Sequence, residues 1–133
     1  MTNNKKKKIL VIEDEKVLCD LYVKLLNKNN YIAEGVMLGK QGQEKIEKNK
    51  YDLILLDLQL PDIHGIEILE VCFKNKKKYN FVVLTNRTDE KIIEKAMKYG
   101  AKAYVKKVNL TPDDFIKEID AFFSFLSFSN SHT

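Results

Sequence analysis

The chain of 133 residues is 44 % hydrophobic and 32 % charged, with a formal net charge of +4. That length builds one domain with a real core and no second one, and the balance is that of a soluble globular protein. No run approaches the roughly 18 apolar residues of a membrane span, and the apolar stretch after Lys5 to Lys8 is too short for a secretory signal, so a cytoplasmic location is expected.

Strands and helices alternate along the chain. Ile9 to Ile12 predicts a strand, and Val17, Leu18, Leu21 and Leu25 keep helical spacing to about Lys28. Tyr31 to Val36 reads as a second, mixed strand. A helix follows over about Gln41 to Asn49, resting mainly on Ile46. Leu53 to Leu56 is a third strand, and its exit is marked by Pro61 and Gly65. Ile66, Leu69, Val71 and Phe73 mark the next helix, and Phe81 to Leu84 form a fourth strand ending at Thr85. Ile92, Ile93, Ala96 and Met97 give a helix stopped by Gly100, a C-cap residue. Ala103 to Val105 is a short fifth strand. Thr111-Pro112-Asp113-Asp114 then supplies an N-cap, a proline at the first helical position and two acids in the first turn. Phe115, Ile119, Phe122 and Leu126 line the helix it opens. Cys19 and Cys72 fall within helical apolar patterns and are expected as reduced core residues.

Five such units imply an α/β fold with a doubly wound parallel sheet and right-handed crossovers. Strands one, three and four are continuous apolar runs suited to the centre, while two and five are mixed and suit the edges, which gives the order 2-1-3-4-5. Ligands bind such sheets at the carboxyl ends of strands one and three, where the order reverses. Glu13 and Asp14 follow strand one directly, and Asp57 closes strand three. One acid after a strand is ordinarily a cap or a solvated loop residue. Three on adjacent strands repel one another unless a cation compensates, and hard oxygen donors with few carboxylates suit Mg²⁺. Thr85 after strand four and Lys107 after strand five add a hydroxyl and an ammonium, so the rim reads as a phosphoryl site.

These residues resemble the receiver domain of bacterial two-component response regulators, of the chemotaxis-regulator type, over about residues 7 to 126. The resemblance is carried by Glu13-Asp14, the stretch Leu56 to Gly65 around Asp57, Thr85, and Gly100-Ala101 through Tyr104 to Lys107. It implies a flavodoxin-like (βα)5 fold; outside it, the Lys-rich start over residues 1–6 is expected to be flexible and residues 127–133 to be a polar tail or the start of a linker. It implies that Asp57 takes a phosphoryl group from a phosphohistidine of a histidine kinase or histidine phosphotransfer protein. Asp14, Asp57 and the backbone carbonyl of Gln59 would bind Mg²⁺ or Mn²⁺, with Glu13 acting through water. Thr85 and Lys107 would hold the phosphoryl group, and Tyr104 would be the aromatic that rotates with the switch.

Departures from the family pattern narrow the reading. Val108 stands where a proline usually follows the lysine; a cis bond there costs about 2.5–4 kcal/mol, so a trans bond and a displaced loop are expected, with Lys107 still reaching the site. Asn86 replaces a small residue, Gln59 and Arg87 occupy positions that tune phosphoryl lifetime, and Lys102-Ala103 replace the acids of receivers joined to winged-helix domains. Output is expected through helix four, strand five and helix five. There Lys102, Tyr104 and Lys106 share one face and Lys91, Lys95 and Lys98 add charge that suits an acidic partner.

Other readings meet specific obstacles. A flavin-binding flavodoxin needs a hydroxyl- and glycine-rich loop after strand one, where this chain has acids that repel phosphate. A haloacid dehalogenase wants a second acid at Gln59, and Gly35 to Lys40 is one residue short of a P-loop. A non-phosphorylated pseudo-receiver that acts as an interaction module is the alternative in function. Lys74 and Lys76 to Lys78 read as a solvated turn rather than a nucleic-acid patch, and the basic excess is otherwise spread along the chain. His64 reads as a surface residue, and His132 as part of the polar tail.

Overall fold

The computed structural model describes residues 5–76, 78–86 and 90–131. Strands β1 (Lys8–Ile12), β2 (Ile32–Val36), β3 (Leu53–Asp57), β4 (Phe81–Thr85) and β5 (Ala101–Lys106) alternate with helices α1 (Lys16–Lys28), α2 (Gly39–Lys48), α3 (Gly65–Lys74), α4 (Glu90–Lys98) and α5 (Pro112–Ser131). All strands are parallel, in the order β2-β1-β3-β4-β5, as the distribution of apolar runs predicts. The fold is the five-stranded, doubly wound flavodoxin-like sandwich.

Strand alternation splits the core in two. Leu10, Ile12, Ile54, Leu56 and Val83 turn to one face and pack with Ile46 of α2, Ile68 and Leu69 of α3 and Ala96 of α4. Ile9, Val11, Leu53, Leu55 and Leu84 turn to the other and pack with Tyr22 and Leu26 of α1 and Phe115 and Ile119 of α5. Each fully buried Leu or Ile contributes about 1.5–3 kcal/mol, and the central strands carry most of them. Cys19 and Cys72 are both free and buried, as expected.

Three helical details differ from the sequence reading. The inward stripe of α1 is Cys19, Tyr22 and Leu26, while Val17 is 79 % exposed. In α3 the buried residues include Ile66, Ile68, Leu69 and Cys72, and Val71 and Phe73 point outward. Both helices carry apolar residues on two faces, so spacing alone did not choose between them. The segment 127–131, expected as a polar tail, continues α5, because no Gly or Pro breaks the helix after Leu126. Residues 1–4 and His132 lie outside the described residues. No helix among those described is long and apolar enough to cross a membrane.

Candidate functional site

Parallel pairing brings the predicted residues to one rim. Ile12 lies opposite Leu56, so the two residues that follow, Glu13 and Asp57, emerge side by side. Both are buried, Asp57 at 4 % exposure, and Asp14 beside them is half-buried. Oxygens of Glu13, Asp14 and Asp57 lie within 4.8 Å of one another. From the far edge, Lys107 runs inward with its side chain only 6 % exposed. Its Nζ lies 2.8 Å from Glu13 Oε1 and 3.1 Å from Asp57 Oδ2. The remaining oxygens are also engaged: Gln59 N–H donates to Asp57 Oδ1 at 3.0 Å, and Glu15 N–H to Glu13 Oε2 at 3.1 Å.

The charge states follow from this crowding. Burial pushes the Glu13 carboxyl up to about 7, and the Asp57 charge adds to the rise against the hydrogen bond from Lys107. Burial likewise raises Asp57, opposed by the Gln59 N–H and the Lys107 ammonium. Burial works against the Lys107 ammonium, yet its hydrogen bonds and the charges of Asp57 and Glu13 together outweigh it and raise its pKa. The sequence placed Glu13 at the rim but did not reveal this ion pair.

Local structure fixes the loop that carries Asp57. Gly65 N–H donates to Leu58 O at 2.8 Å. A Cβ on Gly65 would lie 2.7 Å from Asp57 O and 2.8 Å from Leu58 Cα, so only glycine lets α3 start this close to the site. Asp62 reaches across to the start of α2, accepting from Gly39 N–H at 2.8 Å and Lys40 N–H at 2.9 Å. His64, read as a surface residue, is exposed and caps α3, its Nδ1 accepting from Ile66 N–H at 3.1 Å. Neither cap was found from sequence; a carboxylate two residues before His-Gly is the signal that would have pointed to them.

On the far side, Thr85 ends β4 buried, and its carbonyl accepts from Lys107 N–H at 2.9 Å. The Lys107–Val108 bond is trans, as expected, and Asn109 takes a left-handed φ of 60° in the loop that follows. Tyr104 is 44 % exposed on β5, with Lys102 and Lys106 also exposed. Asn86 is exposed, and Arg87 lies outside the described residues.

Residues 9–120 match the response regulator receiver domain family. The chain belongs to that family. It is 38 % identical to response regulator ArlR of Staphylococcus saprophyticus over 100 residues, 75 % of this chain and 45 % of the relative. ArlR of Staphylococcus aureus is 34 % identical over 101 residues, 74 % of this chain and 45 % of the relative. This chain thus spans about half the length of the curated relatives it matches. Among solved structures, a CheY-like receiver domain protein of Methanospirillum hungatei superposes with a TM-score of 0.85 at 26 % identity, covering 94 % of this chain and 99 % of the other. The receiver domain of a LuxO repressor protein of Vibrio parahaemolyticus gives 0.82 at 22 % identity over 95 % and 96 %, a likeness of fold. Receiver domains serve two-component signalling, where phosphorylation and Mg²⁺ binding at an acidic pocket are general. The three carboxylates here form such a pocket: hard oxygen donors, few in number, with one member half-open to water, which is the donor set Mg²⁺ takes.

Proposed function

We propose that this domain accepts a phosphoryl group on Asp57 from the phosphohistidine of a sensor kinase or phosphotransfer protein and switches partner binding as a result. The observation that carries the proposal is the Lys107 ammonium held between Asp57 and Glu13 at the switch point of the sheet. An Asp57 oxygen attacks phosphorus, the P–N bond breaks, and its electron pair leaves on the imidazole nitrogen, producing an acyl phosphate. Lys107 and the Thr85 hydroxyl hold the oxygens of the transferred group. Asp14, Asp57 and the Gln59 carbonyl would bind Mg²⁺ or Mn²⁺, with Glu13 reaching it through water; the ion supplies neutralisation of phosphoryl charge. Val17, in the first turn of α1, and Val108, next to Lys107, are exposed apolar side chains available to a docking protein phosphodonor.

Output runs through the face of α4, β5 and α5. Moving a two-state domain from 1:99 to 99:1 takes about 5.5 kcal/mol. New charge-assisted bonds to Thr85 and Lys107, at about 1.5–3 kcal/mol each, supply most of it. Tyr104 stands among exposed lysines there, so the partner is acidic. Chemical shifts of Tyr104 and α4 move on addition of beryllofluoride with Mg²⁺; changes confined to the Asp57 pocket would refute this route.

Acetyl phosphate with Mg²⁺ is expected to add one phosphoryl group by intact-mass spectrometry, lost in Asp57→Asn and without the metal. Label that persists in the variant refutes the assignment of Asp57. No label in the native protein, from acetyl phosphate or from a phosphohistidine donor, favours the pseudo-receiver.

A further inference from the structure

The opposite end of the sheet carries a second concentration of chemistry that the phosphoryl site does not use. A groove of about 940 Å³ opens where α3 ends and β4 and β5 begin. Lys74, Lys76, Lys78 and Lys102 line it together with the rings of Phe73, Tyr79 and Tyr99, and no carboxylate does so among the described residues. The segment Lys74 to Lys78 reads from sequence as a solvated turn; Lys77 lies outside the described residues. Folding changes its setting. Lys102 joins it from β5, at the register irregularity where Phe81 pairs with Ala101 and Val82 with Ala103, leaving Lys102 without a partner in the ladder. Tyr99 arrives from the end of α4, its ring 5.7 Å from Phe73 in an edge-on pair.

The charge in the groove is largely uncompensated. Lys74 is paired with Glu70 at 3.0 Å, whereas Lys76, Lys78 and Lys102 form no ion pair with any described residue. Three ammonium groups around one concavity repel one another and attract a multiply charged anion. The rings add a different requirement. Phe73 is 53 % exposed, and with Tyr99 it offers apolar surface beside the charges. A planar base satisfies it by stacking, as bases do on the aromatic platforms of single-stranded nucleic-acid sites. The volume lies within the range of small-molecule sites.

We infer that this groove binds a nucleotide carrying two or more phosphates, its phosphates on Lys76, Lys78 and Lys102 and its base stacked on Phe73 with Tyr99 against its edge. The site lies at the amino ends of the strands, away from Asp57, so both can be occupied at once and the inference does not depend on the phosphoacceptor reading.

Calorimetric titration of the full chain in metal-free buffer with ATP, tripolyphosphate, adenosine and a short mixed-sequence single-stranded DNA tests it. ATP is expected to bind saturably and more tightly than either tripolyphosphate or adenosine. Lys78→Gln with Lys102→Gln weakens ATP about tenfold, since two exposed, solvent-screened contacts together are worth that much. Phe73→Leu weakens ATP but leaves tripolyphosphate unchanged, and Asp57→Asn leaves both unchanged. The lysine and phenylalanine positions are exposed, so thermal melting should show each variant folded. Absence of saturable ATP binding, equal affinity for ATP and tripolyphosphate, or indifference to the double lysine variant overturns the inference. Tighter binding of the DNA than of ATP overturns it in favour of a nucleic-acid surface.

Discussion

The two ends of the sheet carry charge in opposite ways. At the carboxyl rim, Glu13, Asp57 and Lys107 are buried, and each needs the others to offset its lost hydration. At the amino end, Lys76, Lys78 and Lys102 remain exposed and keep their own water. The same residue type is therefore held in a buried ion-pair network at one end and subject only to solvent-screened repulsion at the other. Lysines at the amino end can be exchanged one by one, whereas the rim responds as a unit.

Replacing a lysine at each end tests this most sharply. Lys107→Ala leaves two buried carboxyl groups unpaired and should destabilise the domain by about 3 kcal/mol in urea denaturation at neutral pH, the lower end of the range for a broken buried pair because Glu13 can take up a proton. Lys102→Ala should leave the midpoint where it was. Equal midpoints for the two variants would erase the distinction.

The pH response comes next. Because the folded Glu13 pKa of about 7 lies above its ordinary 4.5, the native state holds a proton that the unfolded chain has released, and the raised Asp57 acts in the same direction. Stability of the metal-free domain should thus fall as pH rises from about 4.5 to about 7. Glu13→Gln should flatten that slope, and added Mg²⁺ should restore stability at the upper end. A melting temperature that rises across this window would contradict the sign.

Smaller effects concern the loop between. Gly65→Ala forces a Cβ against the Asp57 carbonyl and should cost about 1–3 kcal/mol, with slower labelling by acetyl phosphate as Asp57 shifts. Asp62→Ala frees two N–H groups at the start of α2. It should lower the melting midpoint by less than Gly65→Ala and leave the labelled residue unchanged.

Much of this was legible in the chain. Uninterrupted apolar runs in β1, β3 and β4 gave both the strands and their central places, and the acids that end two of them marked the rim. The inward faces of α1 and α3 were not legible, because Val17, Val71 and Phe73 are apolar yet exposed. β5 starts at Ala101, earlier than its hydrophobicity suggests, since pairing with Phe81 rather than side-chain character sets that boundary. The contact between Glu13 and Lys107 joins residues 94 positions apart and follows from strand order plus the reach of a lysine stem, which no local pattern encodes. Tyr99 and Lys102 beside Lys74, Lys76 and Lys78 are likewise products of topology.

Gly65 pressed against the Asp57 backbone and Asp62 strapped to α2 make the β3 to α3 side of the rim stiff. Five residues of α3 are buried, while α4 buries only Ala96. A force applied at Asp57 therefore meets an anvil on one side and a compliant spring on the other. On the output route proposed above, work done at the rim would go to α4, the side with the least buried packing to resist it.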